Sequence, residues 1–184
     1  MPSDTGFWDK EEAATQHDFS YQLARFIGSY FGKNERVIDF GAGNGAYIRY
    51  LHDIGFTNVW ALEGDTATIT EINNVIRQDL SKGFNLPDKA VNAICLEVGE
   101  HVPDKYAATL FDNLANNTEK KIILSWAIPG QDGYHHVNCR HNLWVMKEMK
   151  HRGFNLLIDD SLRIRDVIED RWSYFRNTLL IFEK

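Results

Sequence analysis

The residues best suited to chemistry form one short segment, Glu97-Val98-Gly99-Glu100-His101. A histidine titrates near neutral pH, so it can serve as a general base when a carboxylate orients its ring. Glu100 and His101 are therefore candidates for a catalytic pair. A Glu-His pair that opens a helix is also an ordinary capping arrangement, and the residues alone leave both interpretations open.

A second group of polar residues lies in the segment 129–141, which follows a strongly apolar run. It contains Tyr134, His135 and His136, with Asn138 and Arg140 shortly after. A surface loop can carry such residues without a function, but two adjacent histidines favour contact with a substrate. His136 is therefore a further catalytic candidate.

The elements that must position these groups begin with a glycine-rich turn inside the stretch 37–55. Apolar residues before and after the glycines predict a short buried strand and a helix, and glycine lets a ligand lie against the main chain. Asp39 precedes the first glycine by two positions, where it would repel a pyrophosphate and attract a cationic amino-acid moiety. Gly41, Gly43 and Ala46 also satisfy the loose dinucleotide pattern G-x-G-x-x-G/A, so NAD stays open as an alternative.

The run Asp39-Phe-Gly41-Ala-Gly43-Asn-Gly45 resembles the D/E-x-G-x-G-x-G loop of class I S-adenosylmethionine-dependent methyltransferases. The resemblance covers nearly the whole chain in the order of its elements. It implies an α/β, Rossmann-like fold: a mostly parallel seven-stranded sheet with helices on both faces and an antiparallel C-terminal strand. It also implies that Asp39, Gly41, Gly43 and Gly45 bind S-adenosylmethionine.

Other predicted cofactor residues follow later strands, at the edge where ligands bind in parallel sheets. Glu63 ends the second predicted strand about 20 residues past the glycines, where a carboxylate can accept both ribose hydroxyls. The resemblance implies that Asp79 binds the adenine amino group and that Leu80 contacts the ring. Glu97, after the fourth strand, completes the set. A surface acid at Glu63 and a plain turn at Asp79 are the alternatives.

The spacing E-x-x-E-H at 97–101 resembles that of two methyltransferase groups that bind a divalent ion with it. These are the O-methyltransferases of ubiquinone biosynthesis and the small-RNA 3′-terminal 2′-O-methyltransferases. The resemblance implies Glu97, Glu100 and His101 as metal ligands, with His136 as a further one. Such ligands suit Mg²⁺, Mn²⁺ or Fe²⁺, which would lower the pKa of a substrate hydroxyl. Shaping a substrate pocket without an ion is the alternative.

The predicted elements alternate between strand and helix, as expected for a parallel-rich sheet covered on both faces. A mobile arm, 1–8, precedes a predicted leading helix over 9–31, and the resemblance implies that this helix covers the cofactor. Phe7, Trp8 and Tyr21 are candidates for the substrate side, with plain packing as the favoured interpretation. The predicted strands are 37–40, 58–63, 75–78, 90–97, 122–128, 154–158 and 178–182, and the later predicted helices are 66–73, 103–117, a helix ending near 152, and 161–168.

The length, net charge and composition of the chain limit the classes of protein to which it can belong. Its 184 residues predict one domain, with 1–32 as arm and cofactor-covering helix, and the net charge of −6 disfavours broad nucleic-acid binding. No apolar run approaches the ~20 residues of a membrane span, and the N-terminus has no export pattern. Two cysteines indicate no disulfide framework, which fits a cytoplasmic protein.

Three functions remain as hypotheses. The first is a methyltransferase for a small-molecule acceptor, O-directed and metal-assisted if an ion binds. The second is a methyltransferase for an RNA 3′ end, which rests only on the E-x-x-E-H spacing. The third is a binding protein that keeps the cofactor pocket without catalysis, and a NAD-dependent oxidoreductase is more distant. The sequence does not identify the acceptor or the oligomeric state.

Overall fold

The chain forms one mixed sheet covered by helices on both faces. The computed structural model describes residues 4–6, 8–9, 11, 15, 17–65, 68–69 and 72–184. The predicted contact at Phe7 and parts of the predicted helix 66–73 lie outside the described residues.

The sheet has seven strands in the order β3-β2-β1-β4-β5-β7-β6. The first five strands pair in parallel, whereas β7 runs antiparallel to both of its neighbours, β5 and β6. The predicted fold class is therefore confirmed. The strands are β1 Val37–Phe40, β2 Val59–Glu63, β3 Val75–Arg77, β4 Ala90–Cys95, β5 Thr118–Leu124, β6 Asn155–Leu156 and β7 Leu180–Glu183.

The helices connect the strands and cover the sheet. α1, α2 and α5 pack on one face with Ile94, Ile123 and Ile181, and α3 and α4 pack on the other with Phe40 and Phe182. Because both faces are covered, the central strands are apolar on both sides. The helices are α1 Tyr21–Tyr30, α2 Ala46–Asp53, α3 Ala107–Asn116, α4 Asn142–His151, α5 Ile158–Asp166 and α6 Phe175–Thr178, with short 3₁₀ turns at Asp104–Tyr106 and Asp170–Trp172.

Several boundaries differ from the sequence prediction, and three of the differences bear on how the chain packs. Strand β5 begins at Thr118 and ends at Leu124, so the apolar residues after Leu124 have left the sheet. Their apolar character comes from packing: Trp126 stacks on Phe111 with 5.2 Å between ring centroids. Ile158 begins a helix rather than ending a strand, and α1 begins only at Tyr21 after a non-helical stretch at 17–20.

Candidate active site

A cavity of about 250 Å³ opens at the carboxyl ends of the parallel strands. The loops after β1, β2, β3 and β4 all contribute to its wall, as expected for a ligand site in an open α/β sheet. Nine of the predicted site residues line it, whereas Gly45 and Glu100 do not. The nine are Asp39, Gly41, Gly43, Glu63, Asp79, Leu80, Glu97, His101 and His136.

The glycine loop after β1 takes a conformation that other residues rarely adopt. Gly41, Gly43 and Gly45 have φ of 81°, 58° and 87°. A Cβ on Gly41 would lie 2.6 Å from Val98, and one on Gly43 would lie 2.4 Å from the ring of His17. The loop therefore needs glycine both for its backbone and for close neighbours. Gly45, which does not reach the cavity, caps the N-terminus of α2.

Two carboxyl groups beside this loop are deeply buried. Burial, together with the charge of Glu63, raises the pKa of Asp39 to about 8. Burial also raises the pKa of Glu63 to about 7, although backbone N–H groups that include those of Gly43 and Gly64 oppose the change. A cationic ligand would replace the lost hydration of both groups.

Glu63 connects the end of β2 to the glycine loop. Its carboxylate accepts the N–H of Gly43 at 3.0 Å and the N–H of Gly64 at 2.7 Å. The backbone of Asp65 also hydrogen-bonds this carboxylate, so three of its roughly four acceptor positions are used and about one remains for a ligand. The side chain can thus hold the loop and still accept a hydroxyl group.

Asp79 and Leu80 line the cavity after β3. One Asp79 oxygen accepts both the N–H and the hydroxyl of Ser81, at 2.9 and 2.6 Å. Burial would raise the pKa of Asp79, but these bonds and Lys82 hold it below its usual value. The turn that sequence reasoning kept as the alternative is therefore present, and it fixes the carboxylate at the cavity wall.

Glu97 stands in a strained conformation directly after β4. Its φ is 51°, which is uncommon for a residue with a side chain, and such strain concentrates at functional sites. Its N–H donates to the hydroxyl of Ser125 at 2.8 Å. Its carboxylate accepts Gln131 Nε2 at 2.6 Å and the Thr178 hydroxyl at 3.3 Å. Three separate segments thus hold Glu97 at the cavity.

Glu100, His101 and His136 form a compact group beside Glu97. One ligand atom from each lies within 4.8 Å of the others, about the span of two metal–ligand bonds of roughly 2.0–2.3 Å. Glu97 is not part of this group. The structure thus brings three of the four predicted metal ligands together.

The protonation of this group follows from its burial. Glu100 is fully buried, and burial and the charge of Glu97 raise its pKa well above the usual value. Burial, with the neighbouring His136, lowers the pKa of His101 to about 4. A neutral imidazole can accept a proton or bind an ion. The His101 and His136 rings are 5.1 Å apart between centroids.

A scaffold of buried contacts joins the 129–141 loop to the 97–102 segment. The Asn138 side chain donates to the Val102 carbonyl at 3.1 Å, and Trp126 Nε1 donates to the Asn138 carbonyl at 2.6 Å. Arg140 pairs with Asp104 and does not line the cavity. The expectation that Asn138 and Arg140 contact substrate is therefore replaced by a structural role for both.

Several lining residues carried no sequence signal. His17 lies over Gly43, and burial lowers its pKa to about 4 although Asp18 opposes the change. Asp18 accepts the Tyr174 hydroxyl at 2.9 Å across 156 positions of sequence. Trp8 lines the cavity rather than serving only in packing, whereas Tyr21 packs on Tyr50 away from the cavity. The positions of His17, Asp18 and Tyr174 at the cavity can be recognised only from the three-dimensional structure.

Unpartnered polar atoms concentrate at this cavity. Among the residues that the structure describes, six of the ten buried side-chain N or O atoms without a hydrogen-bond partner lie in or beside its wall. Buried polar atoms are normally paired, so such a concentration indicates where a ligand completes the structure. The six are Trp8 Nε1, His17 Nε2, both oxygens of Glu100, His101 Nδ1 and Gln131 Oε1.

Comparison with solved structures supports the fold. Magnesium protoporphyrin IX methyltransferase from Synechocystis PCC 6803, with bound S-adenosylhomocysteine, superposes with a TM-score of 0.66 at 17% identity over 95% of this chain and 92% of that one. The glycopeptide N-methyltransferase MtfA, also complexed with S-adenosylhomocysteine, gives 0.60 at 15% identity over 91% and 89%. An S-adenosylmethionine-dependent methyltransferase from Clostridium acetobutylicum gives 0.65 at 12% identity over 90% and 92%.

These likenesses establish a Rossmann-like methyltransferase fold for this chain. The sequence matches no protein-family model and no curated protein sequence. Within the described part of the chain, no helix has the length and apolar character needed to cross a bilayer.

Proposed function

We propose that this protein is an S-adenosylmethionine-dependent methyltransferase that methylates an oxygen of a small-molecule acceptor, assisted by a divalent ion. The observation that carries the proposal is the concentration of unpartnered buried polar atoms around one cavity, bordered by a positive-φ glycine loop and ringed by carboxylates. The likeness to methyltransferases of known structure agrees with it.

The cofactor end of the site follows from the first two strands. Asp39 offers a buried counter-charge to the amino-acid moiety, and Glu63 offers an acceptor for a ribose hydroxyl. Asp79 and Leu80 lie in the part of the cavity wall where the adenine ring of the cofactor would bind. Bound S-adenosylmethionine supplies an electrophilic methyl group, so these residues have only to hold and align it.

The acceptor end has donor groups that suit an ion. Glu100, His101 and His136 would hold it, because their ligand atoms are close together and no hydrogen bond of good geometry occupies the Glu100 oxygens or His101 Nδ1. The ion would lower the pKa of an acceptor hydroxyl. Without an ion, His101 would itself take the hydroxyl proton while the methyl group passes from sulfur to oxygen.

The two other hypotheses are less well supported. The cavity wall contains no Lys or Arg among the described residues, which disfavours an RNA 3′ end as acceptor. A pure binding protein would not need a proton-accepting group such as the His101 imidazole in the cavity wall.

The metal proposal is tested by titrating Mg²⁺ and Mn²⁺ into the S-adenosylhomocysteine-bound protein by calorimetry. Wild-type protein should show saturable binding that Glu100→Gln and His101→Gln each abolish. Glu119→Gln and His52→Gln remove the same kinds of group from exposed positions and should leave binding unchanged. Failure of the wild type to bind either ion while it retains S-adenosylhomocysteine would refute metal assistance and leave His101 as the base.

A further inference from the structure

The cavity wall has a one-sided charge. Six acidic residues line it, and no Lys or Arg does so among the described residues. Three of the acids, Asp39, Glu63 and Asp79, belong to the cofactor end, but Glu97 and Asp132 lie on the side of the histidine group. Apart from an ion held by the histidine group, an anionic acceptor would therefore meet acidic side chains and no Lys or Arg in the described wall.

Aromatic rings surround the same end of the cavity. Trp8 and Tyr134 both line it, with ring centroids 6.4 Å apart and planes at 77°. The centroid of the His101 ring lies 4.9 Å from that of Trp8, with the planes at 74°. Aromatic rings attract cationic groups to their faces, which is how proteins recognise substituted ammonium groups.

Two observations mark this end as a binding site independently of its charge. His101 is 9% exposed and lines the cavity, and its Nδ1 has no partner. The indole N–H of Trp8 is likewise buried without an acceptor. Asp132 is exposed, so a ligand can reach its carboxylate directly from solvent.

We propose that the acceptor carries a cationic amine and no anionic group, with the amine against Trp8 and Tyr134 and with Asp132 as its counter-charge. This rests on the proposed function only in calling the ligand a methyl acceptor. The reacting oxygen would point inward to Glu100, His101 and His136, and the amine outward to the aromatic rings.

Three probes of matched shape test this charge preference: 3,4-dihydroxybenzylamine, 4-methylcatechol and 3,4-dihydroxybenzoate. Their affinities are measured by calorimetry on protein saturated with S-adenosylhomocysteine and Mg²⁺, and again without either. The amine should bind at least about tenfold more tightly than the benzoate, with 4-methylcatechol between them. Equal or tighter binding of the benzoate, or no binding of any probe, would overturn the proposal.

Two variants localise the effect. Asp132→Asn should lower the affinity for the amine several-fold and leave that for 4-methylcatechol unchanged. Asp88→Asn removes an exposed acid outside the cavity wall and makes the same change in net charge. An equal loss in both variants would contradict a local role for Asp132.

The binding of S-adenosylhomocysteine is measured separately on the same protein. Its absence would refute the proposed methyltransferase function, whereas the probe series on the ligand-free protein still decides the charge preference. The two failures are therefore distinguishable.

Discussion

At the scale of single residues, the site keeps carboxyl groups in places where their charge is unfavourable. Asp39 is 3% exposed and its side chain has no cationic neighbour among the lining residues. The folded protein therefore holds the proton on Asp39 up to about pH 8, whereas the unfolded chain releases it near 3.8. The buried Asp39 carboxyl therefore lowers the stability of the ligand-free protein, while it provides the cavity with a site for a cation.

The sign of the resulting pH dependence can be stated. Between the two pKa values the folded state binds more protons than the unfolded state, so the free energy of unfolding falls as pH rises from about 4 to about 8. Asp39→Asn removes this contribution to the free energy of unfolding, because an asparagine side chain does not titrate. The variant should melt at a higher temperature than the ligand-free wild type at pH 8, by about 2–4 °C for each kcal/mol recovered.

Thermal unfolding of both proteins at pH 5 and pH 8 measures this difference. At pH 5 only the first part of this stability has been lost, because the range of loss begins near pH 4, so the advantage of Asp39→Asn should be clearly smaller than at pH 8. A variant that is less stable than the wild type at pH 8, or equally shifted at both pH values, would contradict the assignment.

The site residues that could be predicted are those with a local pattern. Asp39, the glycines and Glu63 follow apolar strands at fixed spacing, and the backbone itself places them at one edge of the sheet. His17, Asp18 and Tyr174 have no such pattern, because each reaches the cavity through contacts between distant parts of the chain. The positive φ of Glu97 could not be predicted from the sequence either, since nothing in the neighbouring sequence requires it.

At the scale of elements, the 129–141 loop forms one wall of the cavity and is fixed by buried contacts. Asn138 and Trp126 attach its far end, while Gln131 and His136 line the cavity. The imidazole of His136 lies so close to Gly133 that a Cβ there would be 2.1 Å from Nε2. The position of His136 therefore depends on a glycine three residues earlier.

Gly133→Ala should displace His136 without disturbing the fold, because the end of a side chain can move. We expect the affinity for Mn²⁺ to fall about 10-fold to 100-fold, while that for S-adenosylhomocysteine stays within the error of the measurement. Gly83→Ala is the matched control, since a Cβ on Gly83 would meet nothing within 4 Å. Unchanged Mn²⁺ affinity in Gly133→Ala would argue against His136 as a ligand.

The elements themselves were predictable where one physical effect dominates. Strands β1 and β2 match their predicted bounds to within one residue, because each is a short apolar run bounded by polar or glycine residues. Strand β5 was predicted too late: its first half, Thr118–Lys121, is polar yet pairs with neighbouring strands, while the apolar residues beyond Leu124 pack under the 97–102 segment. A run of apolar residues indicates that a segment is buried, but the segment need not be a strand of the sheet.

At the scale of the whole molecule, the strand order brings residues from both ends of the chain to one edge of the sheet. Ser20, just before α1, donates to Glu169 near the C-terminus at 2.6 Å, and Tyr174 holds Asp18. Thr5, Gly6 and Trp8, near the start of the described chain, line the same cavity as Tyr174 and Phe175, near its end. A ligand in the cavity would contact segments from the whole sequence.

This arrangement predicts a strong effect of the cofactor product on stability. A ligand that binds only the folded state raises the free energy of unfolding by RT ln(1 + [L]/Kd), or about 2.7 kcal/mol at a hundredfold excess over Kd. Addition of S-adenosylhomocysteine at that excess should therefore raise the melting temperature by several degrees. NADH at the same concentration should have no effect.

The most direct test of the central claim is calorimetric titration of S-adenosylhomocysteine into wild-type protein, Glu63→Gln and the surface control Asp88→Asn. The account predicts saturable one-site binding, reduced at least about tenfold in Glu63→Gln, because the amide loses an acceptor for the ligand and one backbone N–H loses its partner. Asp88→Asn should bind like the wild type. Wild-type protein that binds NADH but not S-adenosylhomocysteine would contradict the account.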